Sequence, residues 1–390
     1  MKATVEIKDG IAYVGVEGNI TSANANEFEN AMNIEVSELD GMTVDAKELE
    51  YISSAGLRVI LSAKKRCKGK QFKVINVNND VKSIFDVTGF SDIMDVSSAV
   101  RQISIEGCKR IGAGACGECF RVDDETIVKL YYSNIVPDEI EREKALAKKA
   151  FVMGVPTAIS YDIVEADGRT GVMYELINSK TLCEIIRDDM DNIEKYVDMY
   201  VDTCKKIGSI HTSDPEIPSF KELNRADIMK VTELTDEEKD YLYRFIDLVP
   251  DGDACIHGDL NINNIMVQGG ECCLIDMGEF STGIAMFDIS RIAFSMRFAN
   301  DGDEGMNNFY KLPNETVTKI YDMFITKYFD GDTVEEAAKK NPEVEWLYPL
   351  AWFRTCVALL RKNRWPEEKV QYAYRLFKEK LVPFVDEHSK

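Results

Sequence analysis

The chain has 390 residues, 45% hydrophobic and 29% charged, with 47 Lys and Arg against 68 Asp and Glu, a formal net charge of -21. That length exceeds one ordinary core and implies two or more domains. So acidic a chain argues against a nucleic-acid binder, which needs a basic face, and against adhesion to anionic membranes; a nucleotide would have to be held by local donors and a metal against the overall field.

The opening, MKATVEIKDGIAYV, lacks the basic segment and apolar core of a signal peptide, and no apolar run approaches the roughly 20 residues that span a bilayer. The ten cysteines, several inside apolar runs (Cys255, Cys272, Cys356), are therefore expected as reduced thiols of a cytoplasmic protein. Cys116 and Cys119 form a lone C-x-x-C, weak evidence for zinc without a second pair.

Residues 3–17 read as two strands around a Lys8-Asp9-Gly10 turn. TSANANEFENAMNIEV reads as a helix opened by capping residues, and GMTVDAKEL as a strand. SSAGLRVILSAKKRCKG follows as a helix with Leu57, Ile60 and Leu61 on its apolar face, ended by Gly69. A strand (QFKVINV), a helix (NDVKSIFDVTG) and a short strand (IMDV) close this alternating unit near Val100. A second alternation opens near Ser104 with β-rich sequence, a helix (DEIEREKALAKKAFVMG) and two strands around TAISYDIVEADG and TGVMYELI. From about Ser179 helices dominate, so a small β-rich part precedes a large helical one, as in a two-lobed domain. The division expected is 1–100, 104–177 and 178–390.

Residues 1–100 resemble the STAS family, the domain of anti-sigma-factor antagonists, most specifically over LEYISSAGLRVIL and SIFDVTGFSDIMDV. The resemblance implies an α/β module with a mixed sheet and a protein partner. In that family a serine at the start of the second helix is phosphorylated, and the matching residue is Ser54, preceded here by Ser53 where many members have Asp. A helix N-terminus tolerates a phosphate, so what would change is the charge and shape a partner reads. The plainer reading is that Ser53 or Ser54 only caps the helix.

The stretch CIHGDLNINNIMVQGGECCLIDMGEF crowds polar groups between apolar runs, a costly arrangement unless they are paired. HGDLNINN has the form H-x-D-x-x-x-x-N, and LIDMG follows after a short hairpin. Upstream lie IGAGACGECFRV, TIVKLYY and IEREKAL. A Gly-rich run alone is weak evidence, but four motifs in this order resemble the protein-kinase-like superfamily, closest to its aminoglycoside-phosphotransferase and choline-kinase branch. The resemblance implies a two-lobed α+β kinase-like fold acting with ATP and magnesium. It places Asp259 as the residue that orients the attacking hydroxyl and accepts its proton, and Asn264 and Asp276 as metal ligands. Lys129 would hold the α- and β-phosphates, with Glu143 fixing its direction. Gly112, Gly114 and Gly117 would let the hairpin approach the phosphates. Glu175 to Ile177 would meet adenine through backbone groups, and His257 and Asp288 would support the catalytic loop.

Gly258 stands where regulated protein kinases carry an arginine, and the path from Asp276 to Asp288 is too short for an activation segment. Both departures favour a small-molecule acceptor, although the attached STAS module keeps a protein acceptor open. The function expected is ATP- and magnesium-dependent phosphoryl transfer to a hydroxyl of a small molecule or protein. The rival from another class is a partner-switching scaffold that binds nucleotide and transfers nothing.

Overall fold

The computed structural model of the chain describes residues 1–114, 116–298, 309–333, 336, 339, 342–361 and 365–389. It comprises two compact units, Met1–Ile103 and Ser104–Lys390. Among the described residues no helix is long and apolar enough to cross a membrane, and all ten cysteines are free thiols.

The first unit is a five-stranded mixed sheet in sequence order: β1 (Lys2–Lys8), β2 (Ile11–Ile20), β3 (Gly41–Ile52), β4 (Gln71–Val77) and β5 (Asp95–Ser98). Asp9 and Gly10 both take positive φ, 47° and 76°, which suits a two-residue hairpin turn and makes β1 and β2 antiparallel. The later pairs are parallel, so each crossover carries a helix: α1 (Ala25–Met32), α2 (Ser54–Arg66) and α3 (Asn79–Val87). Alternation along β2 and β3 turns Ala12, Val14, Val16, Met42, Val44 and Ala46 into one core. The buried stripe of α2 centres on Gly56, Ile60 and Ala63, so Leu61, expected in it beside Leu57 and Ile60, lies on its flank and is only half-buried.

The second unit opens with antiparallel strands: β6 (Lys109–Ala113), β7 (Gly117–Arg121), β8 (Thr126–Tyr131), β9 (Ser160–Ala166) and β10 (Arg169–Glu175). They lie in the order β9, β10, β8, β7, β6. Between β8 and β9 runs α4 (Pro137–Val152), with proline in its first turn. The helical remainder comprises α5 (Leu182–Asp188), α6 (Ile193–Gly208), α7 (Phe220–Met229), α8 (Asp236–Leu248), α9 (Met286–Ala293), α10 (Asn314–Tyr328), α11 (Leu347–Leu359), α12 (Glu367–Leu376) and α13 (Val382–His388). Two small antiparallel sheets interrupt it after α8, the first joined at its edge by Lys180–Thr181. The hairpin of β12 (Ile265–Gln268) and β13 (Glu271–Leu274) turns at Gly269 and Gly270, and β11 (Ala254–Ile256) meets β14 (Ser281–Gly283). The division expected at residues 177 and 178 is not a division of cores. Ile140 of α4 packs under the sheet with Tyr131 and Val172, while Leu146, Ala147 and Ala150, further along the same helix, belong to the large helical core. A 16-residue helix is long enough to serve both layers.

Candidate active site

Lys129 projects from the middle of β8, a strand flanked on both sides by β7 and β10. Its Nζ lies 2.7 Å from Glu143 Oε1 and 2.8 Å from Asp276 Oδ1. Glu143 is buried on α4, and Tyr174 Oη also donates to its Oε1 at 3.3 Å. Burial alone would pull the lysine pKa down; the carboxylates of Asp276 and Glu143 outweigh it and hold the ammonium charged far above its usual range. Asp276 sits in the left-handed region, φ 66° and ψ 63°, a conformation that costs a non-glycine residue of order 1–3 kcal/mol. The Ile275 amide donates to Asn264 O at 3.0 Å, so Asn264 and the residue before Asp276 are tied across the β12–β13 hairpin.

The loop between β11 and β12 carries Asp259 and is braced from three directions. Asp288, in the first turn of α9, accepts the amides of His257 and Gly258, both at 2.8 Å. Burial pushes the Asp288 carboxyl up, against the pull of those two amides. His257 is fully buried; its Nε2 donates to Ile275 O at 3.0 Å, and its Nδ1 accepts the Asp259 amide at 3.2 Å. With one ring nitrogen donating and the other accepting, the ring is the neutral Nε2–H tautomer and ties the Asp259 turn to the Asp276 segment. Asn264 Nδ2 donates to Asp259 O at 2.9 Å and to Asp259 Oδ2 at 3.1 Å.

Gly258 has φ +86°, and a Cβ there would fall 2.5 Å from Glu279 Cβ and 2.6 Å from Glu279 O. The arginine of regulated protein kinases therefore has no room at this position. Another arginine serves the turn from a distance: Arg354 of α11 donates from Nη2 to Gly258 O at 2.5 Å, with its guanidinium 5.3 Å from the Phe220 ring centroid.

A family model described as "Phosphotransferase enzyme family" matches residues 107–316, more than half of the chain. The chain belongs to the phosphotransferase enzyme family. A second model, "STAS domain", matches residues 2–103. Over 102 residues, a quarter of this chain and 88% of the relative, the STAS part is 32% identical to BtrV of Bordetella bronchiseptica, named as an anti-sigma factor antagonist. It is 26% identical over 104 residues to an anti-sigma-B factor antagonist of Listeria monocytogenes, covering 91% of that protein. Among solved structures, a thermostable mutant of aminoglycoside phosphotransferase APH(4)-Ia with ADP and hygromycin B matches at TM-score 0.49 and 11% identity, over 71% of this chain and 96% of that one. The amicoumacin kinase hAmiN matches at TM-score 0.47 and 13% identity, over 78% and 97%.

The phosphotransferase part brings Lys129, Glu143 and Asp276 into one ionic group, and Asp259, Asn264, His257 and Asp288 into one hydrogen-bonded group. The three glycines of its hairpin do not share one role. Gly114 donates its amide to Gly117 O at 2.9 Å, and a Cβ on it would meet nothing within 4 Å. Gly112 is nearly as open, its nearest neighbour being Cys119 Cβ at 3.9 Å. Gly117 is buried, and a Cβ there would lie 2.3 Å from Leu130 O. Its lack of a side chain is a demand of β7 packing on β8. At the end of β10, Glu175 exchanges bonds with Ile159, and the Leu176 amide donates to Glu125 O at 2.7 Å. The Ser179 amide donates to Ile177 O at 2.8 Å, while the Ile177 amide has no partner among the described residues.

Sequence reading missed Arg291 and Arg354. Arg291 stands in MFDISR three residues after Asp288, so one face of α9 carries both; that spacing was available as a signal. Arg354 comes from a helix 96 positions beyond Gly258 and had none.

In the STAS part, Ser53 is the residue that caps α2, accepting the Gly56 amide on its Oγ at 3.4 Å, and it is buried. Ser54 is the first helical residue and is exposed. Gly56 is required for packing, since a Cβ would lie 2.6 Å from Ile20 Cγ2 and 2.7 Å from Ile52 Cγ1.

Proposed function

We propose that this phosphotransferase moves the γ-phosphate of ATP to a hydroxyl of a small molecule, and that its STAS module regulates the transfer or reports it to a protein partner through Ser54. One observation carries the reading: Lys129 Nζ is held between Glu143 and Asp276 at 2.7 and 2.8 Å, although the three residues come from a strand, a helix and a loop far apart in sequence. An ammonium has three donors, and this geometry commits two and leaves one for a phosphate oxygen. Asp259 would orient the acceptor hydroxyl and take its proton. The free Ile177 amide and the Glu175 backbone supply the edge on which adenine would lie.

The Asn264 side-chain oxygen and the Asp276 carboxylate are hard oxygen donors on neighbouring, tied segments, which suits magnesium. When bound there, the ion supplies neutralisation of phosphate charge. Between Asp276 and Asp288 the chain forms a single turn at Met277–Glu279, then β14, then the start of α9. That path leaves no extended platform for a peptide, which favours a small acceptor over a protein.

The test is label transfer from γ-labelled ATP with magnesium to a panel of hydroxyl compounds and to the protein itself, beside Asp259→Asn. Label on an acceptor with wild type and not with the variant supports the reading. Nucleotide binding without transfer to any acceptor, or without ATP turnover, would overturn it in favour of a nucleotide-binding scaffold.

A further inference from the structure

The Asp259 carboxylate is asymmetric in a way the proposed chemistry does not by itself require. A carboxylate offers about four acceptor positions, two on each oxygen. Oδ1 accepts Arg291 Nε–H at 2.6 Å, and Arg291 Nη2 lies 2.6 Å from the same oxygen as its ion-pair partner. Oδ2 receives only Asn264 Nδ2, at 3.1 Å. Among the described residues, therefore, Oδ1 is engaged by the guanidinium charge, whereas Oδ2 meets one neutral amide and retains an open position. The Arg291 side chain is four-fifths buried and its guanidinium lies 4.9 Å from the centroid of the Phe294 ring, one turn further along. The guanidinium is thus held by two contacts, the carboxylate and the ring. Its helix is fixed too, because Asp288 on the same face accepts the His257 and Gly258 amides.

We infer that Arg291 is a positioning residue that selects Oδ2 of Asp259 as the oxygen facing the acceptor hydroxyl. The inference rests on the phosphotransfer reading and adds to it the choice of reacting oxygen. An aspartate in a loop can rotate about its terminal torsion, which has broad, roughly two-fold minima, and either oxygen could otherwise face outward. A charge-assisted hydrogen bond from Nε, with Nη2 closing on the same oxygen, removes that freedom. Because Asn264 bonds Oδ2 through its nitrogen, its own oxygen is turned away from Asp259 and left for a cation. The orientation of the carboxylate and that of a candidate metal ligand are therefore coupled through one amide. Lysine cannot reproduce this arrangement, since it presents a point charge rather than a planar fork.

The experiment uses the full chain with magnesium-ATP and water as the acceptor, comparing wild type, Arg291→Gln and Arg291→Lys, with crystal structures of each. In Arg291→Gln the Asp259 carboxylate is expected to leave its position, with kcat falling about 100-fold, the effect of an ångström-scale misplacement, and KM for ATP within threefold of wild type. Arg291→Lys is expected to recover about tenfold of that loss, as one donor and the charge remain. An unmoved carboxylate in Arg291→Gln, or a kcat within threefold of wild type, would overturn the inference. A raised KM with kcat unchanged would overturn it as well, by assigning Arg291 to the nucleotide. Should Arg291→Gln not fold, Arg291→Lys decides: a kcat about tenfold down supports the inference, and wild-type kcat refutes it. If wild type hydrolyses no ATP with water alone, the carboxylate positions still decide whether Arg291 sets the free oxygen, and the acceptor panel decides the phosphotransfer reading separately.

Discussion

Lys129 Nζ and Asp276 Oδ1 lie 2.8 Å apart although 147 positions separate them in the chain. The pair closes a chain of charges that runs from Glu143 on α4 through β8 to the segment after β13. Both groups would meet a nucleotide, one directly and one through a cation. ATP with magnesium is therefore expected to raise the melting temperature by several degrees at millimolar concentration, since a ligand of the native state alone stabilises by mass action. Lys129→Ala and Asp276→Ala should each reduce this rise, measured against the variant's own baseline by differential scanning fluorimetry. A baseline correction matters for Lys129→Ala, which leaves Glu143 buried without its cation. No rise in wild type would remove the nucleotide reading.

Asp259→Asn keeps the shape of the side chain but cannot accept a proton. Binding of ATP should be retained within a few-fold, while transfer falls by about 10²–10⁴. Isothermal titration beside a single-turnover assay separates the two effects. Transfer at the wild-type rate would show that Asp259 is not the base.

The hairpin glycines make opposite predictions. Gly117→Ala places a methyl 2.3 Å from the Leu130 carbonyl and should cost about 1–3 kcal/mol of stability in urea unfolding. Gly114→Ala meets nothing within 4 Å and should leave stability within about 0.5 kcal/mol. If Gly114 lies against phosphates, the same change weakens ATP binding, whereas equal stability losses in the two variants would contradict the packing account.

Glu238 closes the capping box at the start of α8 and also meets Lys378 Nζ at 2.6 Å and Tyr374 Oη at 2.8 Å. Burial would raise its pKa, but Lys378, the Thr235 amide and Tyr374 outweigh it and hold the carboxyl at about 2. A depressed carboxyl contributes stability that is fully present above its unfolded value near 4.5 and is lost as pH falls from there towards 2. The contribution at neutral pH is at most on the order of 3 kcal/mol and is reduced by solvent screening at the half-exposed Lys378. Glu238→Gln should therefore lower stability at pH 7 and flatten the stability–pH curve between about 4.5 and 2, read by urea unfolding at each pH. An unchanged slope would show that Glu238 is not anchored in this way.

Ser53 and Ser54 should separate under mutation. Ser53→Ala removes the cap of α2 and should cost about 1 kcal/mol, seen as faster amide exchange in the first turn of that helix. Ser54→Ala, exposed at the first helical position, should leave that exchange nearly unchanged. Incubation with magnesium-ATP followed by intact-mass analysis, with Asp259→Asn as control, tests whether the phosphotransferase part modifies Ser54. Phosphate on Ser54 in the wild type alone supports self-modification, and its absence assigns any phosphate there to a separate enzyme.

The order of motifs was readable from the sequence because each is local. HGDLNINN and LIDMG lie on one loop–hairpin–loop unit, and the spacing of TIVKLYY and IEREKAL puts a lysine on a strand and a glutamate on the next helix. The strands and helices of the STAS part were equally legible, since apolar alternation has period 2 in strands and crossover helices cap themselves with local serine and asparagine, while the mixed sheet was implied by the family resemblance. What required the tertiary structure was every question of which atom meets which. That Gly117 answers to Leu130 and Gly258 to Glu279 depends on contacts between separate elements. That Arg354 reaches the Gly258 carbonyl from α11, and that Arg291 pairs with one oxygen of Asp259, depends on how helices distant in sequence pack around the loop. Sequence periodicity specifies which face of an element is buried; only the packed chain specifies the opposite face, and a hydrogen bond is decided there, over a few tenths of an ångström.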